Sequence, residues 1–156
     1  MDNYVRDERM TKLPTKKQPH PISAFEDLQS NGAGYDILRY VSLPQLLGKE
    51  SDTIMYFLGK SLAQTVEIHS IDDIILFFKQ LGWGALDPVK EKRKSSTFHL
   101  LDDSIVQKLQ SSLDIDFRYE SGFLAGACEQ LYGTECECIE KIHHKIYQVE
   151  FTIIFT

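Results

Sequence analysis

The stretch Ser121–Gly133, SGFLAGACEQLYG, constrains this chain more than any other. Gly122 and Gly126 lie four residues apart, so in a helix they stack on one face, with Ala125 beside them. Each glycine costs a helix about 1 kcal/mol against alanine. That cost is tolerated where something must come close to the bare backbone. Two neighbours satisfy the requirement: a sheet on which the helix packs, or a ligand for which it forms a pocket wall. Leu124, Ala127, Cys128 and Leu131 form an apolar stripe on a different side. A membrane reading of the Gly-x-x-x-Gly spacing fails, because the apolar context is short and Glu129 interrupts it.

The 156 residues are enough for one domain with a core. The net charge of −6 argues against nucleic acid as a partner, since phosphate binding requires a basic surface. No apolar run approaches the ~20 residues that span a bilayer, and the N-terminus lacks the apolar stretch of a signal peptide. The cytoplasm is the expected location, with Cys128, Cys136 and Cys138 as thiols. Residues 1–22 are polar, carry Pro14, Pro19 and Pro21, and read as a flexible arm. Residues 23–156 read as a single globular domain.

Helices come first. GYDILRYVSLPQLLG spaces Ile37, Leu38 and Val41 helically, with Pro44 as a break and Gly48 as the end. SDTIMYFLGKSLAQTV has Ser51 or Asp52 as its N-cap and a stripe of Ile54, Phe57, Leu58 and Leu62. SIDDIILFFKQLG is capped by Ser70, ends at Gly82 and buries Ile71, Ile74, Ile75 and Phe78. Strands then dominate. WGALDPVKEKRKSSTFHLLDD gives two strands around the charged turn Lys90–Lys94, which is most simply a solvated turn. SIVQKLQSSL is a short helix, and IDFRYES reads as a strand before the glycine helix. TECECIEKIHHKIYQVEFTIIF is a hairpin, whose last strand alternates Tyr147, Val149, Phe151, Ile153 and Phe155 against Gln148, Glu150 and Thr152.

No phosphate loop, nucleotide fingerprint or nucleophile elbow is present. Cys128 lies inside an apolar stripe with no activating base in view. Cys136, Cys138, His143 and His144 look like ligands on paper, but an extended strand carries His143 about 16 Å from Cys138, too far for one zinc. No metal or cofactor is expected. Glu140 shares the parity of Cys136 and Cys138, so an unbroken strand points it inwards. There it pairs with a cation such as Arg118, meets backbone, is turned out by a bulge, or anchors a pocket.

The order of these elements and three strings resemble the NO-signalling/Golgi-transport ligand-binding fold. Its members include vinyl-reductase-type sensor domains and TRAPP vesicle-tethering subunits. The strings are SGFLAGACEQLYG, the strand CECIE ending in Glu140, and VEFTI in the final strand. The resemblance covers roughly residues 34–155. It implies an α/β (α+β) domain with helices packed on a small antiparallel four-stranded sheet. It also implies a cytoplasmic, often homodimeric module, which in several relatives holds a small or hydrophobic ligand between helices and sheet. Sensor-type relatives place cysteines where this chain has His143 and Val149, so a thiol or metal role does not transfer. Lipidation does not transfer either, since no cysteine precedes Cys128.

The expectation is a non-catalytic small-ligand-binding or regulatory module with Gly122, Phe123, Gly126 and Glu140 at the ligand. The alternative is a protein–protein adaptor with a side-chain-filled core. Tyr35, Tyr40, Met55 and Tyr56 are the candidates for a homodimer face, since aromatics and methionine are enriched in interface cores.

Overall fold

The period-two alternation near the C-terminus sets the sheet. In the computed structural model, which describes residues 19–25 and 32–156, Val149, Phe151 and Ile153 of β4 (Gln148–Phe155) are fully buried. β3 (Cys136–His143) pairs antiparallel with β4, placing Cys138 opposite Ile153 and Glu140 opposite Phe151. β1 (Ala85–Glu91) and β2 (Ser95–Leu101) leave a shorter turn than expected, since Lys90 and Glu91 belong to β1 and pair with β2; only residues 92–94 connect the strands, and they are exposed. The sheet is antiparallel throughout, in the order β1-β2-β4-β3.

Ahead of the sheet, α1 (Ala33–Ile37) and α2 (Leu43–Leu47) are joined by a π-helical turn, Leu38–Ser42. Pro44 accounts for the widened turn: it has no N–H to donate, and its ring crowds the carbonyl of Tyr40. α3 (Ser51–Ala63) starts with Glu50 at its N-cap and no side-chain cap, so neither Ser51 nor Asp52 caps it. In α4 (Ile71–Gln80) the Ser70 hydroxyl accepts the Asp73 N–H, as expected. Its deepest residues are Ile74, Phe77 and Phe78, while Ile71 and Ile75 are partly buried.

α5 (Asp103–Gln110) precedes α6 (Arg118–Tyr132). The strand expected at IDFRYES does not form. The Asp116 carboxylate accepts the Arg118 N–H at 3.0 Å, and the chain turns into α6 there. Burial against two layers overrides local strand preference. α6 lies on β3 and β4, α4 on β1 and α5 on β2, and α3 covers the outer side of α6. Nine consecutive residues, Glu120–Cys128, are therefore buried.

That arrangement answers the question the glycines raise. Gly122 and Gly126 face α3, and the sheet is not their partner. A Cβ on Gly122 would collide with the carbonyl oxygen of Tyr56. One on Gly126 would lie 2.8 Å from the Ala63 Cβ and 3.0 Å from the Lys60 carbonyl oxygen. Gly59 returns the contact, since a Cβ there would meet the Tyr119 carbonyl oxygen and, at 2.7 Å, the Phe123 nitrogen. The two helices thus approach backbone to backbone at Gly59-x-x-x-Ala63 and Gly122-x-x-x-Gly126.

As far as residue 18, the arm expected over residues 1–22 lies outside the described residues. Its end is anchored instead of free: the His20 N–H donates to the Thr65 carbonyl at 2.6 Å and the Glu67 N–H to the His20 carbonyl at 3.0 Å. Ile22, 8% exposed, joins the core.

Gly122→Ala should destabilise the protein by about 2–3 kcal/mol in urea denaturation, since the clash is with backbone that cannot rotate away. Gly34→Ala, with no atom of the described residues within 4 Å of the added carbon, should instead be neutral or stabilising by up to about 1 kcal/mol. Equal effects at the two sites would contradict the packing.

Candidate functional site

Of the four residues expected at a ligand, three are built into packing. Gly122 and Gly126 are covered by α3. Phe123 is fully buried, stacked on Phe77 at 4.8 Å between ring centroids and edge-on to Trp83 at 5.6 Å. Glu140 does point inwards from β3, and it is paired. The Arg118 Nη1 donates to its two carboxylate oxygens at 3.0 and 2.8 Å, and the Ser121 hydroxyl donates at 2.6 Å. Arg118 also lies over the Tyr56 ring at 4.6 Å, and the Tyr56 hydroxyl bridges to β3. That hydroxyl donates to Glu137 at 2.7 Å and accepts the Cys138 N–H at 3.1 Å. This network ties α3, α6 and β3 together beneath the glycine contact.

The candidates for a dimer face divide differently. Tyr40, Met55 and Tyr56 are 6%, 5% and 6% exposed, so within one copy they are covered; only Tyr35 is open to solvent. The reason is again α3. Its small-residue face, with Met55 and Tyr56, turns inwards to meet α6, so the stripe of Ile54, Phe57 and Leu58 turns outwards. Phe57 is 59% exposed and Leu58 48%.

Between α1–α2 and α3 the surface opens into an apolar groove of about 380 Å³. One wall is Tyr35, Leu38, Arg39 and Leu43; the other is Met55, Leu58, Ser61, Leu62 and Thr65, with Tyr119 from α6. None of the four residues expected at a ligand lines it. Arg39 is the unexpected member. Its guanidinium is 1% exposed and makes a two-pronged pair with Glu120, Nη1 to Oε1 at 2.8 Å and Nη2 to Oε2 at 3.0 Å. Nη2 also reaches Asp116 at 3.1 Å, and Nη1 reaches the Tyr35 hydroxyl at 3.0 Å. Burial works to lower the proton affinity of this guanidinium, but the Glu120 charge and hydrogen bonds outweigh it and raise the value. Burial and the Glu120 charge push the Tyr35 hydroxyl up to about 12. Arg39 was legible only as a cation four residues after Tyr35; nothing in the sequence pointed to Glu120, 81 residues on.

The three thiols are free and buried. Burial, with the nearby Cys136, pushes Cys128 up to about 12, and burial with the Glu129 charge pushes Cys136 up to about 11. Cys138 is also pushed up by burial. Such thiols are poor nucleophiles at neutral pH. Among the described residues no group of three or more His, Cys, Asp or Glu is placed to hold a metal. His143 instead lies 3.7 Å from Glu150.

Two predictions follow from this geometry. Glu140→Gln leaves Arg118 and Ser121 without their charged acceptor and should lower stability by about 1–3 kcal/mol in thermal or urea unfolding; an unchanged midpoint would contradict the pairing. The unfolded thiol ionises near 9.0 and the folded Cys128 near about 12, so between those values the folded state keeps a proton that the unfolded state loses. Stability should therefore fall as pH rises across that window, and Cys128→Ala should reduce the slope. A slope of the opposite sign would contradict burial of the thiol.

The comparisons agree with this architecture. A crystal structure of a vinyl-4-reductase family protein from Methanocaldococcus jannaschii superposes with a TM-score of 0.61, covering 86% of this chain and 88% of the other at 15% identity. The fold is therefore that of the vinyl-reductase-type domains. In sequence, the chain is 27% identical over 132 residues to the uncharacterised protein YslB of Bacillus subtilis, covering 85% of this chain and 89% of YslB. It is 26% identical over 107 residues to the uncharacterised protein MJ1642 of M. jannaschii, covering 68% of this chain and 65% of that one. A family described as a protein of unknown function, DUF2507, matches residues 32–154. With that match running from ahead of α1 at Ala33 to Ile154 near the end of β4, this chain belongs to the DUF2507 family.

Proposed function

We propose that the protein is a non-catalytic, cytoplasmic binding module whose working site is the groove between α1–α2 and α3. The observation that carries this reading is the groove itself. At about 380 Å³ and lined mostly by Leu38, Leu43, Met55, Leu58, Leu62 and Tyr119, it has the size and polarity of small-molecule sites. Arg39 already has two carboxylate partners, so the groove favours a neutral, mainly apolar molecule over an anion. The raised thiols support a role without covalent chemistry, and three unpaired cysteines suit a reducing compartment. No described helix is long and apolar enough to cross a membrane.

A second reading has its own support. The helix–sheet interior is filled by side chains, and Ile54, Phe57 and Leu58 sit exposed at helical spacing on α3. Those are the properties of an adaptor, and a second copy of this chain is the simplest partner for an apolar helix face.

Native mass spectrometry of freshly purified protein, with light scattering, separates the two. A bound small molecule lost in Leu62→Trp, which fills the groove, supports the ligand reading. A dimer without bound mass, dissociated by Phe57→Glu outside the groove, supports the adaptor. A monomer carrying nothing at tens of micromolar would overturn both.

A further inference from the structure

We propose that α1, the π-helical turn and α2 form a strap that closes the groove and is latched to the body by Arg39. The strap, residues 33–47, contributes no side chain to the main hydrophobic core. Only Arg39 and Tyr40 of the strap are buried. Ile37, Leu38 and Leu46 are more than half exposed. Apart from the buried Tyr40 ring, what holds the strap down is polar. Arg39 pairs with Glu120 and Asp116 on and just before α6, its guanidinium lies 5.4 Å from the Tyr119 ring, and Asp36 lies 3.5 Å from the Lys108 ammonium of α5.

Such a latch is poised, unlike a packed core. A buried ion pair gains its Coulombic attraction at the cost of two desolvated charges, and the balance is close to even. Here it is closer still, because the buried Nε of Arg39 and the Tyr40 hydroxyl find no hydrogen-bond partner among the described residues. The strap also has a place to turn. It joins α3 through Gly48, whose φ of +62° and ψ of −144° suit glycine and few other residues.

Latching matters for the groove because the strap supplies one of its walls. With the strap down, Tyr35, Leu38 and Leu43 face Met55, Leu58 and Leu62 across it. With the strap lifted, that wall is gone and the covered Met55 is bared. An occupant touching both walls binds the latched form more tightly, so occupancy closes the strap and an empty groove lets it open. This consequence rests on the groove reading; the latch itself does not.

Hydrogen exchange followed by mass spectrometry tests the latch on the full chain with no ligand. In wild-type protein, amides of residues 33–47 should lose protection at lower urea than those of residues 120–128. Glu120→Gln keeps the shape, removes the charge and lies outside the groove. It should speed strap exchange roughly tenfold or more while α6 and β4 stay protected. If strap and α6 open together at one urea concentration in the wild type, or if Glu120→Gln leaves strap exchange unchanged, the latch is wrong. Fluorescence titration with N-phenyl-1-naphthylamine, an uncharged apolar probe, then reads the groove: weaker binding to Glu120→Gln than to wild type supports coupling, and equal or tighter binding overturns it. No binding to the wild type, with strap exchange in wild type and Glu120→Gln as expected above, would retire the groove reading and leave the latch standing.

Discussion

The close approach of α3 to α6 is the contact on which the rest of this structure depends. Gly59 lies against the backbone at Tyr119 and Phe123, and Gly122 and Gly126 lie against Tyr56, Lys60 and Ala63. Without Cβ atoms at these three points, two helices come together at a distance that ordinary side chains forbid. α6 is then enclosed, with α3 on one side and β3 and β4 on the other, and its run of buried residues from Glu120 to Cys128 follows. Enclosure has electrostatic consequences. Glu120, at the start of that run, can be buried only because Arg39 meets it with two hydrogen bonds, and Ser121 is spent on Glu140.

The same contact decides which surfaces remain for function. A helix that buries its glycine and alanine face must turn some other face outwards. In α3 the face that turns out is Ile54, Phe57 and Leu58, residues that would ordinarily be core. The groove forms at the edge of this face, where Leu58 with Met55 and Leu62 meets the α1–α2 segment. The strap, the groove and the exposed stripe are thus three results of seating α3 by its backbone. The groove lies on the outer helical layer, away from the interface of helix and sheet.

Much of the fold was legible because periodicity and capping are local. The alternation from Val149 to Phe155 marked β4 and its register, although Tyr147, read as its first residue, lies in the turn at a φ of +50°; Ser70 marked the start of α4, and Gly48 the end of α2. The glycines announced a close contact, and the parity of Glu140 left four outcomes open, of which the structure shows the pair with Arg118. Their partners were another matter. Which layer the glycines face depends on Gly59, whose own signal, a small residue four before Ala63, is weak unless the pairing is already known. The α3 stripe read as buried because an apolar face normally is; which face a helix buries is a tertiary property. IDFRYES read as strand because its alternation outweighed a local signal, the Asp116 carboxylate that accepts the Arg118 N–H two residues on; the Arg39 contact that holds Asp116 comes from 77 residues away. Arg39 and Glu120 meet across 81 residues, and no spacing rule reaches that far.

The contact between α3 and α6 can be tested as a coupling. Urea denaturation of Gly59→Ala, Gly122→Ala and the double variant gives the interaction free energy between two residues on different helices. If both glycines serve one approach of backbone to backbone, the first alanine already forces the helices apart and the second adds little. The double variant should then lose clearly less stability than the sum of the single losses. Strict additivity would mean that the two positions sense separate surroundings, and the seating of α3 on α6 described above would be contradicted.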